Sequence, residues 1–208
     1  MRAGRAAAPL LLASMVLAAG TGLSAHRHDE YLQAARIAID PVSVRLELSL
    51  TPGIAVADAI IGDIDVNGDA RLDAAEQRRY ADTVVQGLSL RVDDTMLPLT
   101  LAAAHFPDAA ALRMGDAAIT LQVNVGAVPP ASGAHRVAFR NGNAAHGAVY
   151  LANALLPEDD RVAITGMTHA VDQSSLAVAY TLRPARDWSS LWLRLTRMVS
   201  RAEAEAAP

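Results

Sequence analysis

The stretch Val42-Ser43-Val44-Arg45-Leu46-Glu47-Leu48-Ser49-Leu50 decides the fold class. Its aliphatic residues recur at every second position, with Ser43, Arg45, Glu47 and Ser49 between them. Side chains of an extended chain alternate between faces, so this period predicts a strand with one face buried. Upstream, Ala35 to Ile39 is a second strand pattern, closed by a turn at Asp40-Pro41. Downstream the period changes. Thr51-Pro52 has the form of a helix N-cap followed by proline at the first helical position. Ile54, Ala57, Ile61 and Ile64 then follow at spacings of three and four, which predicts one buried helix face.

An acidic segment comes next, and a second helix is predicted from Ala74 to Gln86. Asp73 and Glu76 have capping-box spacing at its start, and Gly87 can close its end. Strand patterns resume at Leu88 to Val92 and Leu97 to Leu101, flanking a turn at Asp93-Asp94. Ile119 to Val125, Val137 to Arg140, Ala148 to Leu155, Val162 to Thr165 and Leu176 to Leu182 complete the set. Many short strands separated by Gly, Pro and Asn breaks predict a mostly β fold, an antiparallel β-sandwich of Ig-like type. A helix–loop–helix insert at 52–87 interrupts it after the second strand.

The termini read differently. Arg2 and Arg5, the apolar run Pro9 to Ala19, and the small residues ending at Ala25 form a secretory signal over residues 1–25. The run is shorter than the roughly 20 residues of a spanning helix, so cleavage after Ala25 is preferred to an uncleaved anchor. Cleavage moves the formal charge from −4 to −6, since Arg2 and Arg5 leave and no acidic residue does. Export to a periplasmic or extracellular location follows. At the other end, residues 187–208 place Trp188, Leu191, Leu195, Met198 and Val199 on one helical stripe, with Arg194, Arg197 and Arg201 off it. Three readings are open for this C-terminal helix: it packs on the β domain, lies on a membrane surface, or frays.

Composition excludes some chemistry. There is no cysteine, so neither disulfides nor thiolate metal sites exist. All 18 basic residues are arginine, and the acidic balance argues against a nucleic-acid partner. Ser174-Ser175 lacks a nucleophile-elbow setting, and there is no phosphate loop or dinucleotide fingerprint. His105, His135, His146 and His169 show no ligand spacing. No residue is named as catalytic, and the chain reads as a non-enzymatic binding or interaction module.

The acidic segment, Asp63-Ile64-Asp65-Val66-Asn67-Gly68-Asp69-Ala70-Arg71-Leu72-Asp73-Ala74-Ala75-Glu76, carries the specific chemistry. An EF-hand calcium loop takes oxygen ligands from positions 1, 3, 5, 7, 9 and 12 and normally has glycine at position 6. Starting at Asp63 puts Gly68 at position 6 but Ala74 at position 12, where a bidentate carboxylate belongs. Starting at Asp65 gives the ligand set Asp65, Asn67, Asp69, Arg71 through its backbone carbonyl, Asp73 and Glu76. It puts Leu72 at the inward position 8 and leaves Ala70 at position 6. Alanine in a left-handed conformation costs roughly 1–2 kcal/mol, about one decade of affinity. Losing the bidentate ligand is worse, so the Asp65 register is preferred. Hard oxygen donors select calcium over zinc or copper, at the weak end of about 10⁻⁴–10⁻³ M.

A second candidate depends on the cleavage point. A chain starting at His26-Arg27-His28 offers an amine, two amides and an imidazole to Cu(II) or Ni(II), suiting a metal-handling accessory protein.

Ala25-His26-Arg27-His28-Asp29-Glu30-Tyr31-Leu32-Gln33, Leu50-Thr51-Pro52-Gly53, the acidic loop and Tyr150-Leu151-Ala152-Asn153-Ala154-Leu155-Leu156-Pro157 together resemble a group of bacterial exported EF-hand-containing proteins. The resemblance covers most of the mature chain and implies export and calcium binding. That group commonly has glycine where Ala70 stands. A weaker similarity, in the Ala-His start and the β-rich layout, is to exported domains of nickel- and urease-accessory-type membrane proteins. It implies the Cu/Ni alternative.

Overall fold

The computed structural model describes residues 29–126 and 131–185. In chain order the elements are β1 (Tyr31–Ile39), β2 (Val44–Pro52), α1 (Ile54–Ile64), α2 (Ala74–Gln86), β3 (Leu88–Val92), β4 (Thr95–Leu97), β5 (Leu99–His105), α3 (Ala109–Arg113), β6 (Ile119–Val125), β7 (Gly133–Asn141), β8 (Ala148–Ala154), β9 (Val162–His169) and β10 (Ser175–Leu182). The strands form two five-stranded sheets, ordered β5-β6-β2-β1-β8 and β4-β3-β7-β10-β9. Every pairing is antiparallel except β1 with β8.

The decisive stretch forms β2, the centre of the first sheet. Val44, Leu46, Leu48 and Leu50 point inward and are buried, opposite Ile39, Ile37 and Ala35 of β1 and Ile119, Leu121 and Val123 of β6. Leu90, Phe139, Val178 and Leu176 bury the facing side of the second sheet. Both sets belong to one hydrophobic cluster. A buried polar tie joins the sheets: Asn141 at the end of β7 donates to the Gln33 carbonyl of β1 at 2.8 Å, so neither amide is left unsatisfied by burial.

The two helices leave β2 and return to β3, so they cap one end of the core. Ala57, Ile60, Ile61 and Ile64 of α1 are buried, as are Tyr80, Ala81, Val84 and Val85 of α2. Each large aliphatic side chain so buried contributes about 1.5–3 kcal/mol, which anchors both ends of the loop between the helices.

Several boundaries differ from the sequence reading. Val42 is exposed and precedes β2. Thr51-Pro52 does not start a helix; it ends β2, with Pro52 opposite Tyr31, and Gly53 is the N-cap of α1. Cross-strand pairing with β1 outcompetes the local capping signal there. Ile54 is exposed beside the Gly115 turn, and Ile60 takes the core position instead. Leu97 to Leu101 is not one strand. Pro98 divides it, so Leu97 closes a hairpin with Leu90 in one sheet and Leu99 pairs with Val125 in the other. Proline lacks the donor that continuous pairing requires. The five-residue helix α3 has no counterpart in the sequence reading. Residues 1–25, His26, His28 and the predicted C-terminal helix at 187–208 lie outside the described residues. Among the described residues no helix is long and apolar enough to cross a membrane.

Candidate metal centre

The acidic loop is shaped by its own carboxylates. Asp63 lies inside α1, and Asp65 is the C-cap residue where that helix ends. The coil between the helices therefore begins at Asp65. Asp65 Oδ1 accepts the amides of Gly68 at 2.8 Å and Asp69 at 3.2 Å, and its Oδ2 accepts that of Ala70 at 2.9 Å. Asn67 Oδ1 accepts the Asp69 amide, and Asp69 Oδ1 the Arg71 amide. These side-chain bonds replace the backbone ladder that ends with α1 and fold the segment into a tight coil.

Ala70 has φ +62° and Gly68 φ +72°. Both are left-handed, a conformation free for glycine and strained for alanine. Position 6 is thus left-handed in either register, as Ala70 counted from Asp65 and as Gly68 counted from Asp63.

The far end of the loop is set by α2. Asp73 caps it, accepting the amides of Ala75 at 2.8 Å and Glu76 at 2.9 Å, and the Glu76 side chain reaches back to the Asp73 amide at 3.2 Å. This is the capping box read from the sequence. Glu76 does more than cap. Its Oε1 accepts the amides of Val66 at 3.0 Å and Asn67 at 3.3 Å, across the loop. The side chain is buried, and its carboxylate joins the first and last turns of the loop. Leu72 packs half-buried against the core cluster. Arg79, one turn further along α2, donates to the carbonyls of Asp63 at 2.7 Å and Ile64 at 3.1 Å, covering acceptors that the end of α1 leaves open.

All six residues of the predicted ligand set therefore fall in one coil, with Asp65, Asn67, Asp69, Asp73 and Glu76 turned onto its backbone amides. Their side chains supply only oxygen, which fits a hard cation. In the described residues no three His, Asp or Glu side chains gather as a metal-binding group. His135 and His169 are hydrogen-bonded in the sheets: His135 to Asp93 and the Ala131 carbonyl, His169 to the Ala152 carbonyl at 3.0 Å.

The sequence reading gave no role to Tyr31, Tyr80, Gln33 or Asn143. These residues meet beside the coil, where the Tyr31 and Tyr80 hydroxyls lie 2.7 Å apart. The partners are 49 residues apart in sequence, and no local period announces such a pair.

Comparison with family models, with curated proteins and with solved structures finds no match.

Proposed function

We propose that the chain is an exported calcium-binding protein, a non-enzymatic binding or interaction module with one EF-hand loop running from Asp65 to Glu76. The observation that carries this reading is the placement of the Asp65 and Glu76 carboxylates. They stand at opposite ends of the loop, and both are turned onto its interior amides between Val66 and Ala70. Asp65, Asn67, Asp69, the Arg71 carbonyl, Asp73 and Glu76 would hold the ion. Calcium supplies positive charge to a segment that otherwise concentrates four carboxylates, and so it favours the ordered loop. Leu72 on the core cluster ties the hand to the β framework, and Arg79 ties α2 to the end of α1, which favours a structural site over a sensor that opens. We take that framework to be a sandwich of Ig-like type, since its two sheets share one core.

Calorimetric titration of the purified protein with calcium tests the reading. Millimolar calcium is expected to release binding heat and raise the melting temperature, and Glu76→Ala is expected to abolish both. No response at 10 mM calcium, or an undiminished response in Glu76→Ala, sinks it.

A further inference from the structure

A cavity of about 580 Å³ opens beside the acidic loop, between the start of β1, the junction of α1 with α2, and the segment joining β7 to β8. Its floor is buried: Tyr31, Gln33, Tyr80 and Val84. Its rim carries charge: Asp63, Arg79 and His146. A cavity of this size with a few convergent polar groups is the usual form of a small-molecule site.

The polar groups have capacity to spare. Tyr31 and Tyr80 bond to each other, and one hydroxyl must donate to the other. The second O–H is then left without an acceptor among the described residues. Burial raises both hydroxyls, Tyr80 to about 12 and Tyr31 well above its ordinary value, so both keep their protons at neutral pH. Among the described residues the Arg79 guanidinium bonds only to the carbonyls of Asp63 and Ile64. Among the described residues the Asp63 carboxylate and the His146 imidazole make no hydrogen bond or ion pair, and Asp63 and Arg79 do not pair with each other. The rim thus holds a carboxylate and a guanidinium that do not pair with each other. A purely anionic ligand would meet Asp63, and a purely cationic one would meet Arg79. A ligand bearing both charges meets a partner for each.

We propose that this cavity binds a free α-amino acid, its ammonium on Asp63 and its carboxylate on Arg79 and the spare tyrosine hydroxyl. Val84, Ala144 and Ala145 supply an apolar wall for the side chain. The site goes beyond the calcium reading and does not rest on it, since none of its residues belongs to the ligand set of the loop.

The test is a thermal-shift screen of the purified protein against the twenty proteinogenic L-amino acids at 10 mM each, in excess EDTA. At least one is expected to raise the melting temperature, because a ligand of the folded state stabilises it by mass action. For that hit, the amine without its carboxylate and the acid without its ammonium are each expected to bind about tenfold more weakly or worse. Asp63→Asn and Arg79→Gln are expected to weaken the amino acid by about as much. Asp63→Asn removes only an exposed charge, so its unliganded melting temperature reports whether the fold is intact. The proposal is overturned if no amino acid shifts the melting temperature, if the acid or amine alone binds as well, or if an intact Asp63→Asn protein binds undiminished. Running in EDTA keeps a failure here separate from a failure of calcium binding.

Discussion

The Asp65 carboxylate accepts the amide of Ala70 at 2.9 Å while Ala70 holds φ +62°, so one hydrogen bond pins an alanine in a conformation that alanine disfavours. Left-handed alanine costs about 1–2 kcal/mol, and glycine in its place gives back part of that through the entropy of the unfolded chain. Ala70→Gly is therefore expected to stabilise the protein by up to about 1 kcal/mol, read by urea denaturation. It is also expected to tighten calcium by as much as about tenfold, read by titration. A loss of stability would mean that Asp65 does not hold this turn.

Glu76 supports the loop through its own hydrogen bonds. It accepts the amides of Val66, Asn67 and Asp73 from a buried position. Glu76→Ala leaves these donors without their acceptor and is expected to cost about 2–3 kcal/mol in EDTA. Glu76→Gln keeps one acceptor oxygen and is expected to lose about half as much. Chemical denaturation of the three proteins orders them.

The hydroxyl pair predicts non-additivity. Tyr31→Phe or Tyr80→Phe each removes one partner of a buried bond, at about 1 kcal/mol. The double variant removes both and is expected to cost less than the sum, with a coupling of about 0.5–1.5 kcal/mol from the cycle. Strict additivity would show that the hydroxyls do not interact.

His135 and Asp93 give the stability a pH signature. Asp93, held by the His135 hydrogen bond, lies below its ordinary 3.8, and His135, held by Asp93, lies above its ordinary 6.5. The histidine contribution is full below pH 6.5 and is lost as pH rises through its raised value. The aspartate contribution is full above pH 3.8 and is lost as pH falls through its lowered value. The pair is thus worth most between about pH 4 and 6.5. Denaturation midpoints of the native protein and of His135→Gln are expected to differ most in that window and to converge as pH rises through the raised histidine value. A difference that grows with rising pH would contradict the pairing.

Gly87 ends α2 against Asn143, and a Cβ there would stand 2.1 Å from Asn143 Oδ1. The Asn143 side chain donates to the Val84 carbonyl at 2.9 Å and to Asn141 at 2.9 Å, so it cannot step aside without losing both. Gly87→Ala is expected to cost about 1–3 kcal/mol by crowding, although its φ of −77° is one that alanine accepts. Differential scanning calorimetry would show the drop in melting temperature.

Much of this architecture was legible in the sequence where the deciding interactions are local. The period-two run around Leu46 and Leu48 specifies a strand because alternate side chains must share a face. Asp73 and Glu76 specify the start of α2 because the capping box closes within four residues. The turn at Ala70 is closed by Asp65, five residues away, so its hydrogen-bond partner is local. Thr51-Pro52 carried a true local signal and lost, because β1 offered nine paired positions to extend β2.

What the sequence by itself determined is most of the strands and the second helix with its cap, all built from contacts a few residues apart. Only the tertiary structure decided the division of Leu97 and Leu99 between two sheets, the parallel pairing of β1 with β8, and the cavity floored by Tyr31 and Tyr80. Each of these joins elements that loop closure brings together at an entropic cost. Their partners are chosen by which buried faces and hydrogen bonds repay it, and no local pattern encodes that choice.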